Sequence, residues 1–224
     1  MENKKHIIIF SHGFGVRKDS RGFFTYISTS IPEAEFVFFD YNIIDEENKT
    51  ITLSPISEQV EKLKGVIKEI QESNRGAIID LICHSQGTIV AALACPEGIR
   101  KTILLAPVFN TDITESILNR YVSHSKAIVN PNGVSVLPSS DGYNRLVSRE
   151  FIRELSKIKP FDSYNTFCEK TELIIIEAMH DELLAKVDMN KLNPKVILLS
   201  VDGDHNFKEE ARINLVKTLR YYLL

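Results

Sequence analysis

Short apolar runs rich in β-branched residues recur along the chain, and each run is nearly continuous in apolar side chains. Strands that are covered on both faces have this composition, whereas strands with one wet face alternate between apolar and polar residues. The pattern predicts six such strands: HIIIF (6–10), EFVFFD (35–40), AIIDLIC (77–83), KTILLA (101–106), ELIIIE (172–177) and KVILLS (195–200).

Segments with apolar residues at three- and four-residue steps separate several of these runs. The segment 56–70 follows Ser54 and Pro55, which are typical of a helix start, and the segment 207–222 has the same spacing. Parallel neighbours in a sheet need crossover connections, which helices usually supply. The sequence therefore predicts an α/β fold, with a mostly parallel sheet of about six strands flanked by helices.

The alternation of strands and helices breaks once, between Asn110 and about Tyr164. This stretch contains NPNGVSVLPSSDGYN (130–144), rich in turn residues, and then the helix-like SREFIRELSKI (148–158), which Ser148 opens. Loops in compact domains have a median length of about 4–6 residues. We therefore expect one domain over 1–224, with an inserted cap subdomain at 110–164 that covers a site on the sheet.

Composition and charge narrow the function classes. The 224 residues are 43% apolar and 25% charged, which suits one globular domain, and a net charge of -3 gives no basic footprint for nucleic acid. The apolar run Ile7–Phe10 is too short for a signal peptide or a membrane span. Cys83, Cys95 and Cys168 form neither a paired framework nor a C-x-x-C motif. We expect a cytoplasmic protein without a nucleic-acid partner.

The first chemical motif is Cys83-His84-Ser85-Gln86-Gly87, between a predicted strand and the helix-like TIVAALA (88–94). A serine on a tight strand-to-helix turn presents its hydroxyl to solvent, and the turn needs small residues two positions away on each side. Gly87 meets this need, and Cys83 meets it less well. Ser85 is therefore a candidate nucleophile. An ordinary turn serine is the alternative from these five residues alone.

The second motif is Ser11-His12-Gly13-Phe14-Gly15, directly after the first predicted strand. Paired glycines let a backbone N–H point into a site, so the N–H groups of Phe14 and Gln86 are candidate oxyanion donors. A dinucleotide-binding loop is the alternative, but Lys18 stands where its third glycine belongs. The six histidines include no H-E-x-x-H motif and no tight His/Cys cluster, so we expect neither a metal nor another cofactor.

Two further residues complete a nucleophilic set. Asp181 in EAMHDELL follows the fifth predicted strand, and His205 in VDGDHNF follows the sixth. Open α/β sheets place their sites at the carboxyl ends of strands, and hydrolases with a serine elbow use the order serine, acid, histidine. Asp112 is the alternative acid, while Asp202 and Asp204 lie too close to His205 along the chain. The sequence predicts the catalytic triad Ser85, Asp181 and His205.

With these motifs the chain resembles the α/β-hydrolase superfamily over essentially its whole length, from HGFG through CHSQG and HDELL to DGDHNF. The resemblance implies that Ser85 is the nucleophile, Asp181 the acid and His205 the base, with Phe14 and Gln86 as oxyanion donors. The segment 142–164 is similar to the end of the insertion in bacterial cinnamoyl and feruloyl esterases. Their oxyanion region also reads His-Gly-Phe, and their elbow often reads His-Ser-Gln-Gly.

Three features depart from that family's pattern. Cys83 stands where the elbow has glycine, DYNIIDEEN (40–48) lacks a Gly-His-Gly run, and the chain begins too late for two usual leading strands. The last departure gives the expectation of about six strands. We expect a serine hydrolase that cleaves a small-molecule carboxylic ester through an acyl-enzyme. A thioesterase or peptidase on the same triad and a non-catalytic binding protein are the alternatives, and Ser85 argues against hydrolases with an elbow carboxylate.

The substrate pocket is expected to involve His12 and apolar residues after the fourth strand and in the insertion. A packed lid core is the alternative interpretation of the apolar set. These expected pocket walls are Phe109, Ile113, Leu118, Val134, Val136 and Leu137.

Overall fold

The computed structural model describes residues 4–110, 126–130, 132–184 and 188–224. All six predicted strands are confirmed, and so is the helix predicted at 56–70. The last helix begins at Glu210, three residues later than its apolar pattern. In chain order the elements are β1 (His6–Ser11), α1 (Phe23–Ser30), β2 (Glu35–Val37), β3 (Ile43–Asp45), β4 (Thr50–Thr52), α2 (Ile56–Ser73), β5 (Ile78–His84), α3 (Gln86–Ala94), β6 (Lys101–Leu105), β7 (Val134–Pro138), β8 (Asn144–Ser148), α4 (Arg149–Leu155), α5 (Pro160–Phe167), β9 (Glu172–Ala178), a 3₁₀ turn (Met189–Lys191), β10 (Ile197–Val201) and α6 (Glu210–Leu223).

The main sheet has six parallel strands in the order β10-β9-β6-β5-β1-β2. Side chains of a strand alternate between its two faces. On β1, Ile9 packs in the cluster formed with α2 and α3, whereas Ile8 and Phe10 pack in the cluster formed with α1 and α6. Burial on both faces explains why the sequences of the central strands are nearly continuous in apolar residues. Among the helices described, none is long and apolar enough to cross a bilayer.

A second, four-stranded sheet has the order β3-β4-β8-β7. The hairpin of β7 and β8 belongs to the segment predicted as an insertion, and β8 pairs in parallel with β4, which lies almost 100 residues earlier in the chain. Helix α4 follows at once, and the backbone N–H of Phe151 donates to the Ser148 hydroxyl at 3.1 Å, as expected for a cap. That 110–164 forms a separate cap subdomain stays a prediction.

The edge of the main sheet where the strands begin carries a buried ionic cluster. The carboxylate of Asp80 is fully buried and accepts hydrogen bonds from His6 Nε2 at 2.7 Å, from Arg100 Nε at 3.0 Å and from the Lys101 backbone N–H at 3.0 Å. Burial by itself would raise the pKa of Asp80, but the bonds from His6 and Arg100 outweigh it and hold the pKa below the ordinary carboxyl value. The cluster ties the starts of β1, β5 and β6 together.

Replacing Asp80 with asparagine is expected to lower the free energy of unfolding by about 2–3 kcal/mol at pH 7, because charge-assisted hydrogen bonds are lost. A lowered native pKa stabilises the fold above the ordinary pKa of about 3.9 and loses this effect as pH falls through the native pKa. The difference between the two proteins in urea unfolding should therefore shrink below about pH 4. Glu35→Gln, which breaks an exposed pair with Lys5, should cost under about 1 kcal/mol. Equal losses in the two variants would contradict the assignment.

Candidate active site

The three residues predicted as a triad lie together at the carboxyl edge of the main sheet. Ser85 directly follows β5, Asp181 follows β9, and His205 follows β10. His205 Nε2 lies 2.9 Å from Ser85 Oγ, and His205 Nδ1 lies 2.7 Å from Asp181 Oδ2. The structure thus joins hydroxyl, imidazole and carboxylate in one hydrogen-bonded series.

Ser85 occupies a strained turn between β5 and α3. Its backbone has φ 53° and ψ −124°, a region that residues with a side chain rarely adopt. Its N–H donates to the Leu105 carbonyl at 3.0 Å, and its own carbonyl accepts from the N–H and the hydroxyl of Thr88 at 3.0 and 2.6 Å. These backbone bonds hold the strain in place without using the Ser85 side chain, so Oγ is left for His205.

The residues on each side of Ser85 meet different steric demands. A Cβ at Gly87 would lie 2.2 Å from the Ser11 carbonyl oxygen and 2.7 Å from that of His12, so only glycine fits this approach. Cys83 is fully buried in the core, and burial raises the pKa of its thiol. A buried, protonated thiol is a poor nucleophile. Cys83 therefore acts here as a small core residue.

Replacing Gly87 with alanine is expected to cost about 3 kcal/mol of unfolding free energy, the upper end for overpacking, and to slow the ester hydrolysis that the sequence predicts. The added methyl group meets backbone atoms, which cannot rotate away as a side chain can. Gly65→Ala is the matched control, since Gly65 lies within α2 and an added Cβ meets nothing within 4 Å. This control should be stabilised by about 0.5–1 kcal/mol. Thermal unfolding and ester hydrolysis of both variants test the prediction, and it is wrong if Gly87→Ala matches the wild type.

Two residues that sequence reasoning did not single out hold His205. The Nε2 of His84 lies 2.9 Å from the His205 carbonyl oxygen, and because a carbonyl only accepts, this nitrogen carries the proton. Burial lowers the pKa of His84 to about 3, so its ring is neutral. The backbone N–H of His205 donates to Glu182 Oε2 at 3.3 Å. His84 lies inside the elbow motif, but nothing in the pattern indicates a partner 121 residues away.

Asp181 is fixed by its neighbours in the loop after β9. One carboxylate oxygen accepts from the backbone N–H groups of Leu183 and Leu184 at 2.8 and 2.9 Å, and the other faces His205. Burial would raise the pKa of Asp181, but the bond to His205 and the two backbone bonds outweigh it, so the pKa lies below its usual value. Asp181 is therefore an anion at neutral pH.

Asp202 and Asp204, which the sequence analysis set aside, have other partners. Asp202 pairs with His180 at 2.9 Å, and Asp204 pairs with Lys208 at 2.9 Å. Asp112 falls outside the described residues, and so do Ile113 and Leu118 of the expected pocket. Within residues 4–110, 126–130, 132–184 and 188–224, no three His, Cys, Asp or Glu side chains are grouped so that they could hold a metal ion.

The loop after β1 lies against the nucleophile. A Cβ at Gly13 would lie 3.2 Å from Ser85 Cβ, so the backbone that leads into Phe14 touches the elbow directly. Gln86 is the first residue of α3, where a backbone N–H has no partner within the helix. Both predicted oxyanion donors therefore belong to segments that adjoin Ser85.

The His12 side chain is buried and is not accessible to a substrate. It is 1% exposed, its Nε2 accepts from the Tyr41 backbone N–H at 3.0 Å, and its Nδ1 donates to the Gly13 carbonyl at 3.0 Å. Burial lowers the pKa of His12, which fits a neutral ring with one donor and one acceptor nitrogen. The expectation that His12 contacts substrate is therefore corrected: both ring nitrogens are engaged with backbone, and His12 holds the loop in shape.

The expected pocket walls divide among several environments. Phe109 borders a cavity of about 310 Å³ that also reaches Asp181, Leu184 and Met189. Val136 and Leu137 are neighbours on β7 and point to opposite faces of the strand, so they cannot line the same wall. Leu137 is 1% exposed and lies in the hydrophobic core, which corrects its assignment to the pocket. Val136 is half-buried, and Val134 is exposed.

Several solved esterase structures share this architecture and topology. Est1E from Butyrivibrio proteoclasticus, solved with bound ferulic acid, is 16% identical, and the match covers 98% of this chain and 90% of Est1E, with a TM-score of 0.69. The chain has the α/β-hydrolase fold. The Pyrococcus furiosus esterase Pf2001 matches at 16% identity over 99% of this chain and 81% of its own, with a TM-score of 0.67. The esterase domain of a Rhodothermus marinus protein matches at 14% identity over 99% and 88%, with a TM-score of 0.66.

At these identities the likeness establishes the α/β-hydrolase fold alone. No family model matches the chain, and no curated protein matches it in sequence. One fold supports many chemistries, so a function has to be argued from the side chains of this site.

Proposed function

We propose that the protein is a serine hydrolase that cleaves a small-molecule carboxylic ester through an acyl-enzyme. The observation that carries this proposal is the pair of hydrogen bonds at His205: its Nε2 accepts from Ser85 Oγ at 2.9 Å, and its Nδ1 donates to Asp181 Oδ2 at 2.7 Å. A serine activates as a nucleophile when a base accepts its proton and a third group orients that base. Structural neighbours that are esterases add support for an ester bond over an amide.

The first half of the reaction forms the acyl-enzyme. Ser85 Oγ attacks the ester carbonyl carbon while its proton moves to His205 Nε2, and the carbonyl oxygen becomes an oxyanion. The backbone N–H groups of Phe14 and Gln86 stabilise that oxyanion, and one such donor is typically worth about 3–4 kcal/mol. His205 then gives its proton to the leaving alcohol as the ester C–O bond breaks.

The second half returns the enzyme to its starting state. His205 accepts a proton from water, the hydroxide oxygen attacks the acyl carbon, and the bond to Ser85 Oγ breaks as Oγ regains a proton. The carboxylic acid leaves. Throughout, ionised Asp181 accepts the hydrogen bond from His205 Nδ1, which keeps Nε2 free to accept a proton and stabilises the imidazolium that forms.

A fluorophosphonate probe tests the proposal directly, because it reacts with activated serines and leaves ordinary ones untouched. We expect stoichiometric labelling of the folded protein, mapped to Ser85 by peptide mass spectrometry. Absence of labelling would favour a non-catalytic binding protein with the same fold. A panel of p-nitrophenyl esters, thioesters and aminoacyl anilides then assigns the bond class, and faster cleavage of thioesters or anilides than of esters would overturn the ester assignment.

We propose further that the protein works in the cytoplasm, where thiols stay reduced. All three cysteines are free: Cys83 and Cys168 are buried, and Cys95 is half-buried. Unpaired cysteines are typical of reducing compartments. Detection of the native protein in a cytoplasmic fraction tests this location, and recovery from a secreted fraction would contradict it.

A further inference from the structure

The loop after β1, residues 12–16, carries the proposed oxyanion donor Phe14 and is contacted from two sides. On its inner side lie Ser85 and the elbow. On its outer side lie two residues that follow one another closely along the chain, Arg145 on β8 and Phe151 on α4. The Phe14 ring meets the Phe151 ring edge-on at 5.8 Å between centroids.

From the second sheet, Arg145 reaches the backbone of this loop. Its Nε donates to the Gly15 carbonyl oxygen at 2.7 Å. Gly15 has φ +57°, and a Cβ there would lie 2.7 Å from Arg145 Cγ. The loop therefore packs directly on the stem of the arginine as well as bonding to its guanidinium group.

The guanidinium group is itself rigidly held. Arg145 is 3% exposed, and its two terminal nitrogens donate to the two carboxylate oxygens of Asp141, one of them also to the Tyr143 carbonyl at 2.9 Å. Asp141 is exposed, and ion pairs with an exposed partner give little net stability, so stability alone is a weak reason for this arrangement. The arrangement fixes geometry instead, because the planar guanidinium group holds its donors in place and so sets the position of the Gly15 carbonyl that it binds.

We propose that Arg145 is a positioning residue that, through the Gly15 carbonyl, sets the place of the Phe14 N–H beside Ser85. The segment with β7 and β8 then affects how well the oxyanion is stabilised, through a contact between Arg145 and Gly15, which lie 130 residues apart in the sequence. This inference rests on the proposed function, since it concerns the same site. Phe151 supports the same loop through the Phe14 side chain.

A misplaced oxyanion donor affects the transition state more than the bound substrate, since the oxyanion forms only as the reaction proceeds. Arg145→Met is therefore expected to lower kcat by about 10- to 100-fold with KM changed less than about twofold. Arg145→Lys keeps the charge but has no planar fork to reach both Gly15 and Asp141, so it should show a similar fall. Arg21→Met is the matched control: Arg21 also faces Asp141, at 3.9 Å, but its side chain is half-exposed.

Two measurements separate positioning from loss of folded protein. Rates are expressed per active site, counted by complete fluorophosphonate titration. A trifluoromethyl ketone is the second probe: its carbonyl carbon bonds to Ser85 Oγ, the proton moves to His205, and its oxygen becomes an oxyanion. We expect the affinity of each Arg145 variant for this ketone to fall by the same factor as its kcat. Arg21→Met should keep the wild-type affinity for the ketone and the wild-type kcat.

The outcomes separate the two proposals. No labelling and no hydrolysis by the wild type would remove the proposed function and this inference with it. An active wild type with Arg145 variants whose kcat per site falls less than tenfold, or whose KM alone rises, would overturn the inference and leave the hydrolase assignment standing. If Arg145→Met does not fold, Arg145→Lys decides by the same criteria.

Discussion

Replacing Ser85 with alanine is expected to lower kcat for a p-nitrophenyl ester by about 10⁵-fold or more, because no acyl-enzyme can then form. The fold should survive the change. The strained turn is held by the backbone of Ser85, through Leu105 and Thr88, and alanine keeps those bonds. Only the bond from the hydroxyl to His205 is lost. The measurements are the rate of ester hydrolysis, fluorophosphonate labelling and the urea midpoint of unfolding.

Ser28→Ala is the control for the Ser85 experiment. Ser28 lies on α1, and its hydroxyl donates only to the carbonyl of Thr25 within the same helix. Its removal should leave hydrolysis and labelling unchanged. Turnover by Ser85→Ala within tenfold of the wild type, at an unchanged urea midpoint, would remove Ser85 from the mechanism.

The main sheet could be predicted because its chemistry repeats in every strand. The central strands β1, β5, β6 and β9 are buried on both faces, so their sequences are nearly continuous in apolar residues, and the edge strands β2 and β10 keep this composition although they are partly exposed. The second sheet lacks this signal. Strands β3 and β4 have three residues each and are partly exposed, which is too short for a period of two to be recognised.

The proximity of the triad candidates could be predicted from the sequence because it follows from the topology of a parallel sheet. Parallel strands end at one edge, so residues just after β5, β9 and β10 must meet there. Contacts that do not follow from strand ends were missed. His84 reaches the backbone of His205 and Arg145 reaches Gly15, across 121 and 130 residues, and neither has a local pattern that would indicate its partner.

The pocket assignments show a different limit. An apolar residue in a stretch without a clear helix or strand pattern has the same sequence signature whether it packs in the core or faces a substrate. Leu137 packs in the core and Phe109 borders a cavity, yet both were interpreted alike. The same limit holds for the polar residue His12. Its ring is buried because it bonds to the backbone of Tyr41 and Gly13, and the residue type alone does not reveal those bonds.

Asp181→Asn is expected to lower kcat by about 10⁴-fold while leaving the fold intact. The fall in kcat follows from the hydrogen bonds that the carboxylate accepts. One oxygen accepts the backbone N–H groups of Leu183 and Leu184, so the asparagine carbonyl takes that place and its NH₂ faces His205 Nδ1. An NH₂ group can only donate, and it therefore favours the imidazole tautomer with the proton on Nε2. That tautomer cannot accept the proton of Ser85.

Asp112→Asn is the matched control, because Asp112 is the alternative acid that the sequence offers after the fourth predicted strand. It should keep kcat within a few-fold of the wild type, whereas Asp181→Asn should also slow fluorophosphonate labelling in proportion to its loss of kcat. The reverse result, with Asp112→Asn inactive and Asp181→Asn active, would transfer the role of the acid to Asp112. Equal and small effects of both variants would mean that His205 needs no carboxylate to act as the base. The hydrogen bond of 2.7 Å between His205 and Asp181, together with the lowered pKa of that carboxyl, makes the first result the expected one.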